Sequence, residues 1–525
     1  MKFRWRPRRG WIRFLAKSFL WAIFGLVILV ITLWTVVRQP RLASAVFSML
    51  VQSGLNGPME EPKLEAPAVP PAGLADPVSV GSDRYALTNV WEVRLSFSSN
   101  EWATLSPRRV RPLKEIFRRD GQIVLRNPAA SRPGIAGAMG IDLPWSTGTV
   151  VVAGTSMDRV AVRFKGNGTF LEATRSYRRS FKLDLNEHVP GRSWGGRKML
   201  NLGNMGSDAT AMREVLGYEL HERAGVPAPR AAYARVTLSV ENRFQNRLLG
   251  LYAMVEDIDA AWVEPRFGKR GATVFKPVTY DLFLHLGDAW EAYDATYHPK
   301  TKLAEGDRER LIETARFFTT ADESEFARRL GEFFDVDEVA RFLACQVLLS
   351  NYDGILGTGQ NMLLYLDART RRFGLAPWDL DQGWGVIGFA GSAEQRVKAS
   401  LWHPWMGRNS FLERLFRVED FRVRYRAALE SVLDQWFRPE YLEPRMDAIS
   451  RTVRPFLAEE DAAKAARHDL AVGAPRSESD EGPGEGASLD APQNLKRFVR
   501  GRVASARAQL EGREVGEIIR MQSFW

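Results

Sequence analysis

"NYDGILGTGQNMLLYLDARTRRFGLAPWDLDQGWG" (Asn351–Gly385) contains two short apolar runs on either side of the polar turn "DARTRR". Two such runs around a polar turn predict a β-hairpin. The second run ends on a Pro-Trp pair, and Asp379 and Asp381 follow directly. Carboxylates at the end of an apolar strand are costly to bury unless something pairs with them. We therefore expect this hairpin to end in a binding site.

The loop before the hairpin supplies further oxygen-bearing side chains, Asp353 and Asn361. A hairpin can return its end close to its start, so Asp353, Asn361 and Asp379 can converge, with Asp381 as a second metal candidate. Oxygen donors without histidine or cysteine suit Mg²⁺ or Mn²⁺. This order is typical of phosphoryl transfer, in which the first aspartate accepts the proton of the substrate hydroxyl. Helix capping and turn formation remain the alternative for each residue alone.

The β-rich part upstream should supply groups that bind phosphates. In "RFKGNGTF" (Arg163–Phe170), small residues around Gly166 expose backbone N–H groups that can cradle an anion. Lys182 lies on a predicted strand just downstream, and Glu214 lies on the following predicted helix, where it can pair with Lys182. The alternatives are an exposed strand lysine and a glutamate on a solvated helix face.

The secondary-structure pattern changes at about residue 300. Residues 84–300 predict strands with one helix, and residues 301–525 predict helices around the hairpin, with a disordered acidic loop at 474–493. This order predicts an α+β fold in two lobes, a β-rich N-lobe and a helical C-lobe.

The N-terminus predicts a membrane anchor. Residues 1–17 are a basic cytoplasmic tail, 18–37 form an uncharged apolar run of transmembrane length, and 38–83 form a Pro/Ala-rich linker. We therefore expect a single-pass inner (cytoplasmic) membrane protein whose C-terminal domain is extracytoplasmic, in the periplasm of a Gram-negative cell. Cleavage at "RLASAV" (41–46) is the alternative.

The distribution of charge argues against a nucleic-acid partner. The net charge of the 525 residues is +10, but residues 1–41 hold nine basic residues and no acidic one. The rest of the chain is therefore close to neutral, whereas nucleic-acid binding needs a basic face on the folded part. The oligomeric state stays open.

Four segments together resemble the spore coat protein H (CotH) kinase-like family. They are "VRFKGNGTF…RSFKLDLN", "RKMLNLGNMGSDATAMREVLGYELHERAGVPAPRAAYARV", "GLYAMVEDID" and "NYDG…GQNMLLYLD…FGLAPWDLDQGWG". The resemblance runs from about Trp91 to the C-terminal helix. It implies a divergent protein-kinase-like two-lobed fold that binds ATP and Mg²⁺, and some members of the family phosphorylate serines of secreted or coat proteins.

The resemblance also implies roles for individual residues. Lys182 would contact nucleotide phosphates with Glu214 as its partner, and Arg178, Arg179 or Lys165 are the alternative phosphate contacts. Met254–Glu256 would be the hinge that receives adenine. By the same resemblance, the base would be Asp353 and the metal ligands Asn361, Asp379 and, as a second candidate, Asp381. The chain departs from the ordinary kinase pattern, since Asn351-Tyr352 replace His-Arg and Asn361 follows Asp353 by eight residues instead of five.

Three functions fit these features. The first is a membrane-anchored atypical kinase that transfers a phosphoryl group from Mg-ATP to Ser or Thr of an envelope or coat protein. The second is a catalytically inactive kinase-like structural or binding module of the envelope, which the expected scarcity of ATP in the periplasm favours. A metal-dependent hydrolase ranks lower, because the six histidines are scattered without paired ligand spacing.

Overall fold

The computed structural model describes residues 83–109, 141–166, 176–473 and 494–521, apart from the single positions 270, 278, 280 and 295. The basic tail, the apolar run at 18–37, nearly all of the linker and the acidic loop at 474–493 lie outside these residues. Within the described ranges, none of the helices combines the length and the apolar character that a membrane crossing requires.

The described strands form three sheets. They are β1 (Val90–Phe97), β2 (Arg108–Arg109), β3 (Ile141–Asp142), β4 (Ser146–Val152), β5 (Thr155–Phe164), β6 (Phe181–Asp184), β7 (Met199–Gly203), β8 (Ala231–Val240), β9 (Phe244–Glu256), β10 (Ala272–Pro277), β11 (Tyr297–Pro299), β12 (Met362–Asp367) and β13 (Phe373–Pro377). Seven of them close into a barrel in the order β1–β4–β5–β6–β7–β9–β8. β2 pairs with β3, and the remaining sheet has the order β11–β10–β12–β13.

Alternate side chains of the strands fill the interior of the barrel. In β1 and β4, the facing pairs Val93 with Val152 and Leu95 with Val150 are fully buried. Successive side chains of a strand point to opposite faces, so these pairs fill the interior while their neighbours lie outside. β8 then lies parallel to β1 and closes the ring, whereas the other neighbouring strands of the barrel are antiparallel.

The predicted fold class, a protein-kinase-like two-lobed α+β fold after a transmembrane helix, is wrong. The β-rich part is a closed seven-stranded barrel, and the segment predicted to cross the membrane lies outside the described residues. Closure depends on the parallel pairing of β1 with β8, from Val90 opposite Tyr233 to Phe97 opposite Val240. A strand's own alternation gives its buried face but not its partner, so the sequence could not show that the sheet closes.

The described helices pack on the barrel or around the second sheet. They are α1 (Ser99–Leu105), α2 (Arg213–Arg223), α3 (Ala260–Phe267), α4 (Asp307–Thr320), α5 (Glu323–Phe333), α6 (Val336–Leu348), α7 (Ala393–Val397), α8 (Ser410–Arg417), α9 (Glu419–Gln435), α10 (Pro439–Glu460), α11 (Ala462–Val472) and α12 (Leu495–Leu510), with a 3₁₀ helix at Trp290–Ala292. One face of the second sheet packs on α3, and the other joins the main core with α6. β10 pairs with β12, so this sheet joins chain segments on both sides of residue 300.

Helix α2 connects the barrel to the helical part. Val215 and Leu216 of α2 share the main core with Leu251 of β9, and the ring of His221 lies 5.8 Å from that of Phe342 on α6. Asp208 accepts a 2.9 Å hydrogen bond from the backbone N–H of Arg213, the first residue of α2. This bond satisfies one of the backbone N–H groups that have no partner within the helix at its start. The first turn of α2 is thereby held at the edge of the barrel.

Candidate active site

A cavity of about 540 Å³ lies between the outer face of the barrel, the β10–β11 edge of the second sheet and the segment that follows β13. Its lining is dominated by charged groups. The ionisable side chains that line it are Asp142, Arg163, Lys165, Lys182, Glu214, Asp257, Lys276, His298, Lys300, Asp379 and Asp381.

Strand register brings one wall of the cavity together. Arg163 faces Lys182, Lys182 faces Asn201, and Asn201 faces Val255 across four neighbouring strands. All four side chains line the cavity. Leu183, next to Lys182, is fully buried in the barrel core. Because side chains alternate along a strand, the row containing Lys182 must lie on the outer face of the barrel.

Lys182 forms a buried ion pair with Asp257. Its ammonium donates to both carboxylate oxygens of Asp257 at 3.0 Å, and Asn201 donates to the same carboxylate at 2.9 Å. Burial would raise the pKa of Asp257, but the charges of Lys182 and Lys300 outweigh it and lower that pKa to about 2. Asp257 is therefore ionised at neutral pH and fixes the position of the Lys182 ammonium.

The predicted pairing of Lys182 with Glu214 is wrong. Asp257 takes the place of that partner because it lies two residues beyond Val255, on the same side of the extended chain as the row containing Lys182. Glu214 instead interacts with the charge of Lys165, which only partly opposes the rise in the Glu214 pKa that burial and Asp379 cause. Glu214 and Lys165 both line the cavity.

Tyr218 connects Glu214 to the segment after the hairpin. Its phenol donates a 2.8 Å hydrogen bond to Glu214 and accepts a 2.9 Å bond from the backbone N–H of Asp379. Burial and the nearby charge of Asp379 raise the pKa of Glu214 to about 7. Asp379 itself has a positive φ of 56°, a conformation that aspartate tolerates better than most residues. The site thus holds two carboxylates close enough to repel each other.

The core residue Leu380 separates Asp379 from Asp381. Leu380 is fully buried against α2 at Gly217, where a Cβ atom would lie only 2.7 Å from the Leu380 side chain. Asp381 accepts a 3.0 Å hydrogen bond from the Ser207 hydroxyl. Burial, followed by the charge of Asp379, raises the pKa of Asp381 well above its usual range. Packing of Leu380 therefore holds both aspartates at the cavity.

Asp353 and Asn361 lie next to the cavity and bind each other. The Asn361 amide donates a 2.8 Å hydrogen bond to Asp353, and Thr358 and Gln360 donate at 3.2 and 3.5 Å. Burial and then the charge of Asp379 raise the pKa of Asp353 to about 7. This effect of the Asp379 charge shows that Asp353, the predicted base, lies close to Asp379, a predicted metal ligand.

Trp378 lies between two lysines of the cavity. The ammonium of Lys165 lies 5.5 Å from the centre of the Trp378 ring, and that of Lys276 lies 5.7 Å from it. Both distances are within the range of cation–π attraction. Burial lowers the pKa of Lys165, and the charges of Glu214 and Asp379 oppose this effect.

The carboxylates fit a hard divalent cation only in part. Glu214, Asp379 and Asp381 are oxygen donors whose mutual repulsion a cation would relieve. Across the described ranges, however, no three His, Cys, Asp or Glu side chains form a group with metal-binding geometry. Mg²⁺ commonly takes one or two protein carboxylates and completes its shell with water and substrate phosphates. Asp379 and Asp381 fit that pattern.

The predicted cofactor-binding residues separate into two groups. Lys165, Gly166 and Lys182 line the cavity, together with Glu214. Glu256 does not, because its fully buried carboxylate pairs with Arg197 at 2.5 Å and Arg266 at 2.9 Å. Of the predicted hinge Met254–Glu256, only Val255 lines the cavity, since neighbouring residues of a strand point to opposite faces.

Sequence reasoning missed Asp257 and Lys300, which both line the cavity. The alternation in "MVED" carried a signal for Asp257, because Val255 and Asp257 lie two residues apart on a predicted strand. No local pattern indicated Lys300, since it reaches the cavity only through the pairing of β11 with β10.

Comparison with known proteins identifies the family. A family model described as CotH kinase protein matches residues 162–505, about two thirds of the chain, which includes the Lys182–Asp257 pair, Asp379 and Asp381. The chain therefore belongs to the CotH family, and the resemblance seen in the sequence is confirmed. Inner spore coat protein H of Bacillus subtilis (strain 168) is 28% identical over 311 residues, which span 57% of this chain and 82% of that protein.

Proposed function

We propose that this chain binds ATP together with Mg²⁺ or Mn²⁺ and transfers a phosphoryl group to a serine or threonine hydroxyl of an envelope or coat protein. One observation carries the proposal: Lys182, fixed by Asp257, shares a cavity with the carboxylates of Glu214, Asp379 and Asp381. A fixed ammonium suits phosphate oxygens, and grouped carboxylates suit the cation that accompanies them.

The phosphate contacts would come from the barrel wall. Lys182 is held at one position by Asp257, so little side-chain entropy is lost when a phosphate binds it. Lys165 lies beside Gly166, whose positive φ of 99° turns the chain at the end of β5. These two lysines would orient the phosphate chain against the opposite wall.

Asp379 and Asp381 are the proposed metal ligands. Both line the cavity, and Leu380 between them is anchored in the core. A bound divalent cation would supply charge neutralisation to the phosphates. Tyr218 holds the backbone of Asp379 and so fixes the direction of its carboxylate.

Asp353 is the proposed base. It would accept the proton of the acceptor hydroxyl as that oxygen bonds to the terminal phosphorus and ADP departs. A general base works best when its pKa lies near the working pH, and the raised pKa of Asp353, about 7, suits that role. The bond from Asn361 positions this carboxylate.

The protein substrate and the location are inferred from the relative. Inner spore coat protein H belongs to a coat, so an envelope or coat protein is the acceptor class that this likeness favours. A second candidate is a binding module without turnover. The Asp353 carboxylate favours it, because three side chains already donate to that carboxylate.

Calorimetry with the purified chain tests the binding step. ATP should bind only when Mg²⁺ or Mn²⁺ is present, and Asp379→Asn should abolish that binding. Asparagine tolerates the positive φ at this position, so the change removes charge without straining the backbone. Asp434→Asn, which alters an exposed carboxylate paired with Arg507, is the matched control. Absence of divalent-dependent ATP binding to the wild type would refute the proposal.

A further inference from the structure

The half of the cavity next to β10 and β11 is basic. Lys276 on β10 faces His298 on β11, and Lys300 follows directly after β11. Arg163 approaches from the barrel wall, and the side chains of all four residues line the cavity. The second sheet thus brings a separate set of cations to the site.

Lys300 lacks a counter-charge of its own. Asp257 is the nearby carboxylate that acts on it, but both oxygens of Asp257 are already bound by Lys182 and one also by Asn201. In the part of the chain that the structure describes, Lys300 forms no ion pair, and its ammonium donates no hydrogen bond. Lys300 is partly buried, and an ammonium that lies among other cations in such a position is less stable than in water unless a ligand supplies the opposite charge.

Most of the charged groups around Lys300 are also cations, and they disfavour its charged form. Burial, the charge of Lys182 and those of Lys276 and Arg163 together lower its pKa to about 7, against the attraction of Asp257. Burial and the charges of Lys300 and Lys276 likewise lower the pKa of His298. These are the effects expected of a cluster of like charges that lacks its anion.

The ionisable residues of the cavity fall into two groups that interact mainly among themselves, and we call these groups its two halves. The basic half contains Arg163, Lys182, Lys276 and Lys300 against the two carboxylates Asp142 and Asp257. The other half contains three carboxylates, Glu214, Asp379 and Asp381, against Lys165. A ligand that presents an anionic group to one half and a cation to the other would complement both.

We propose that Lys300, with Lys276 and Arg163, forms a second phosphate subsite beside Lys182, which takes a further phosphate group of the phosphoryl donor. The assignment to the donor rests on the proposed function, whereas the anion subsite itself rests on the unpartnered ammonium and the excess of cations. Lys300 reaches this subsite through the β10–β11 pairing, so the second sheet takes part in ligand binding alongside the barrel.

Pyrophosphate in the presence of a chelator is the direct probe, because it has two phosphate groups and needs no divalent cation here. Calorimetry should show that the wild type binds it and that Lys300→Met weakens binding by about tenfold or more. Lys300→Arg should keep most of the affinity. Lys302→Met, which removes an exposed lysine two residues away, should leave it unchanged. Equal pyrophosphate affinity in the wild type and Lys300→Met overturns the subsite.

Thermal stability shows whether a variant has lost pyrophosphate binding because it no longer folds. Since Lys300 has no ion pair with any residue that the structure describes, Lys300→Met should be at least as stable to heat as the wild type. If it fails to fold, pyrophosphate affinity is compared in Lys276→Met, at the other lysine of the proposed subsite. Competition with Mg-ATP then tests the assignment to the donor. Displacement of ATP by pyrophosphate supports it, and simultaneous binding of both overturns it.

Asp379→Asn separates this inference from the proposed function. The variant should lose divalent-dependent ATP binding but keep pyrophosphate binding, since Asp379 lies in the acidic half. If the wild type binds no Mg-ATP but binds pyrophosphate in a manner that requires Lys300, the proposed function fails and the anion subsite stands.

Discussion

Lys182 and Asp257 form an ion pair in which both carboxylate oxygens lie 3.0 Å from the ammonium, and both side chains are almost fully buried. The pair joins β6 of the barrel to the segment that leaves β9. It therefore connects the wall of the cavity to the chain that leads into the second sheet, and its loss should affect both stability and binding.

Removing one partner of this pair should be more damaging than removing both. Lys182→Met leaves Asp257 buried without its paired ammonium and should lower the free energy of unfolding by about 3 kcal/mol. The double variant Lys182→Met with Asp257→Leu should lower the free energy of unfolding by less. Urea unfolding followed by circular dichroism measures both. Arg424→Met, in an exposed pair with Asp337, should change the free energy by less than about 1 kcal/mol. A Lys182→Met variant as stable as the wild type would contradict the prediction.

Asp353→Asn should separate binding from turnover. Asparagine keeps the shape of the side chain but cannot accept the proton, so ADP release should fall by about 10²- to 10⁴-fold. Affinity for Mg-ATP, measured by calorimetry, should stay within about threefold because Asp353 lies outside the cavity lining. Asp288→Asn, at an exposed carboxylate paired with Arg316, is the control for both measurements. Binding without measurable turnover in the wild type would favour the inactive module.

Tyr218→Phe should weaken the proposed divalent-cation site. The variant loses the bonds to Glu214 and to the Asp379 backbone, so stability should fall by about 1–2 kcal/mol and Mg²⁺-dependent ATP affinity should fall as well. Tyr425→Phe is a matched control, since its phenol is also buried but donates to the backbone of Leu401. It should lose similar stability and keep its ATP affinity. Equal ATP affinity in Tyr218→Phe and Tyr425→Phe would show that Tyr218 does not support the site.

Glu338 should make the fold less stable at alkaline pH. It is buried on α6, and its Oε2 accepts a hydrogen bond from the Leu375 backbone, whereas its Oε1 has no hydrogen-bond partner among the described residues. Burial raises its pKa from 4.5 to about 8. Between these two values the folded state holds a proton that the unfolded chain has released, so stability falls as the pH rises through this window.

Glu338→Gln removes that proton linkage and can still accept from Leu375. Its stability should match the wild type near pH 5 and exceed it near pH 9 by on the order of 3 kcal/mol, measured by urea unfolding at both pH values. Glu309→Gln alters an exposed glutamate and should show no such difference. A constant difference between wild type and Glu338→Gln across this range would mean that Glu338 titrates normally.

Much of the candidate site is encoded locally. The two apolar runs of 351–385 form the hairpin β12–β13, and the loop before it and the segment after it bring Asp353, Asn361 and Asp379 close together. These residues lie within one short stretch of chain, so their convergence needs only a turn. Leu380 shows the same locality, since the burial of this apolar residue leaves the aspartates on either side of it at the cavity.

The sequence by itself determined the family, the strands, the hairpin and the carboxylates that follow it, because these depend on alternation, turns and motifs within short segments. Only the tertiary structure decided that the barrel closes, that Asp257 rather than Glu214 holds Lys182, and that Lys300 reaches the cavity. Each of these depends on pairing between distant segments, β1 with β8 and β10 with β11, or on which face a residue presents after that pairing. Local patterns specify the buried face of a strand. The strand with which it pairs is the one that gives the whole packed chain its lowest free energy.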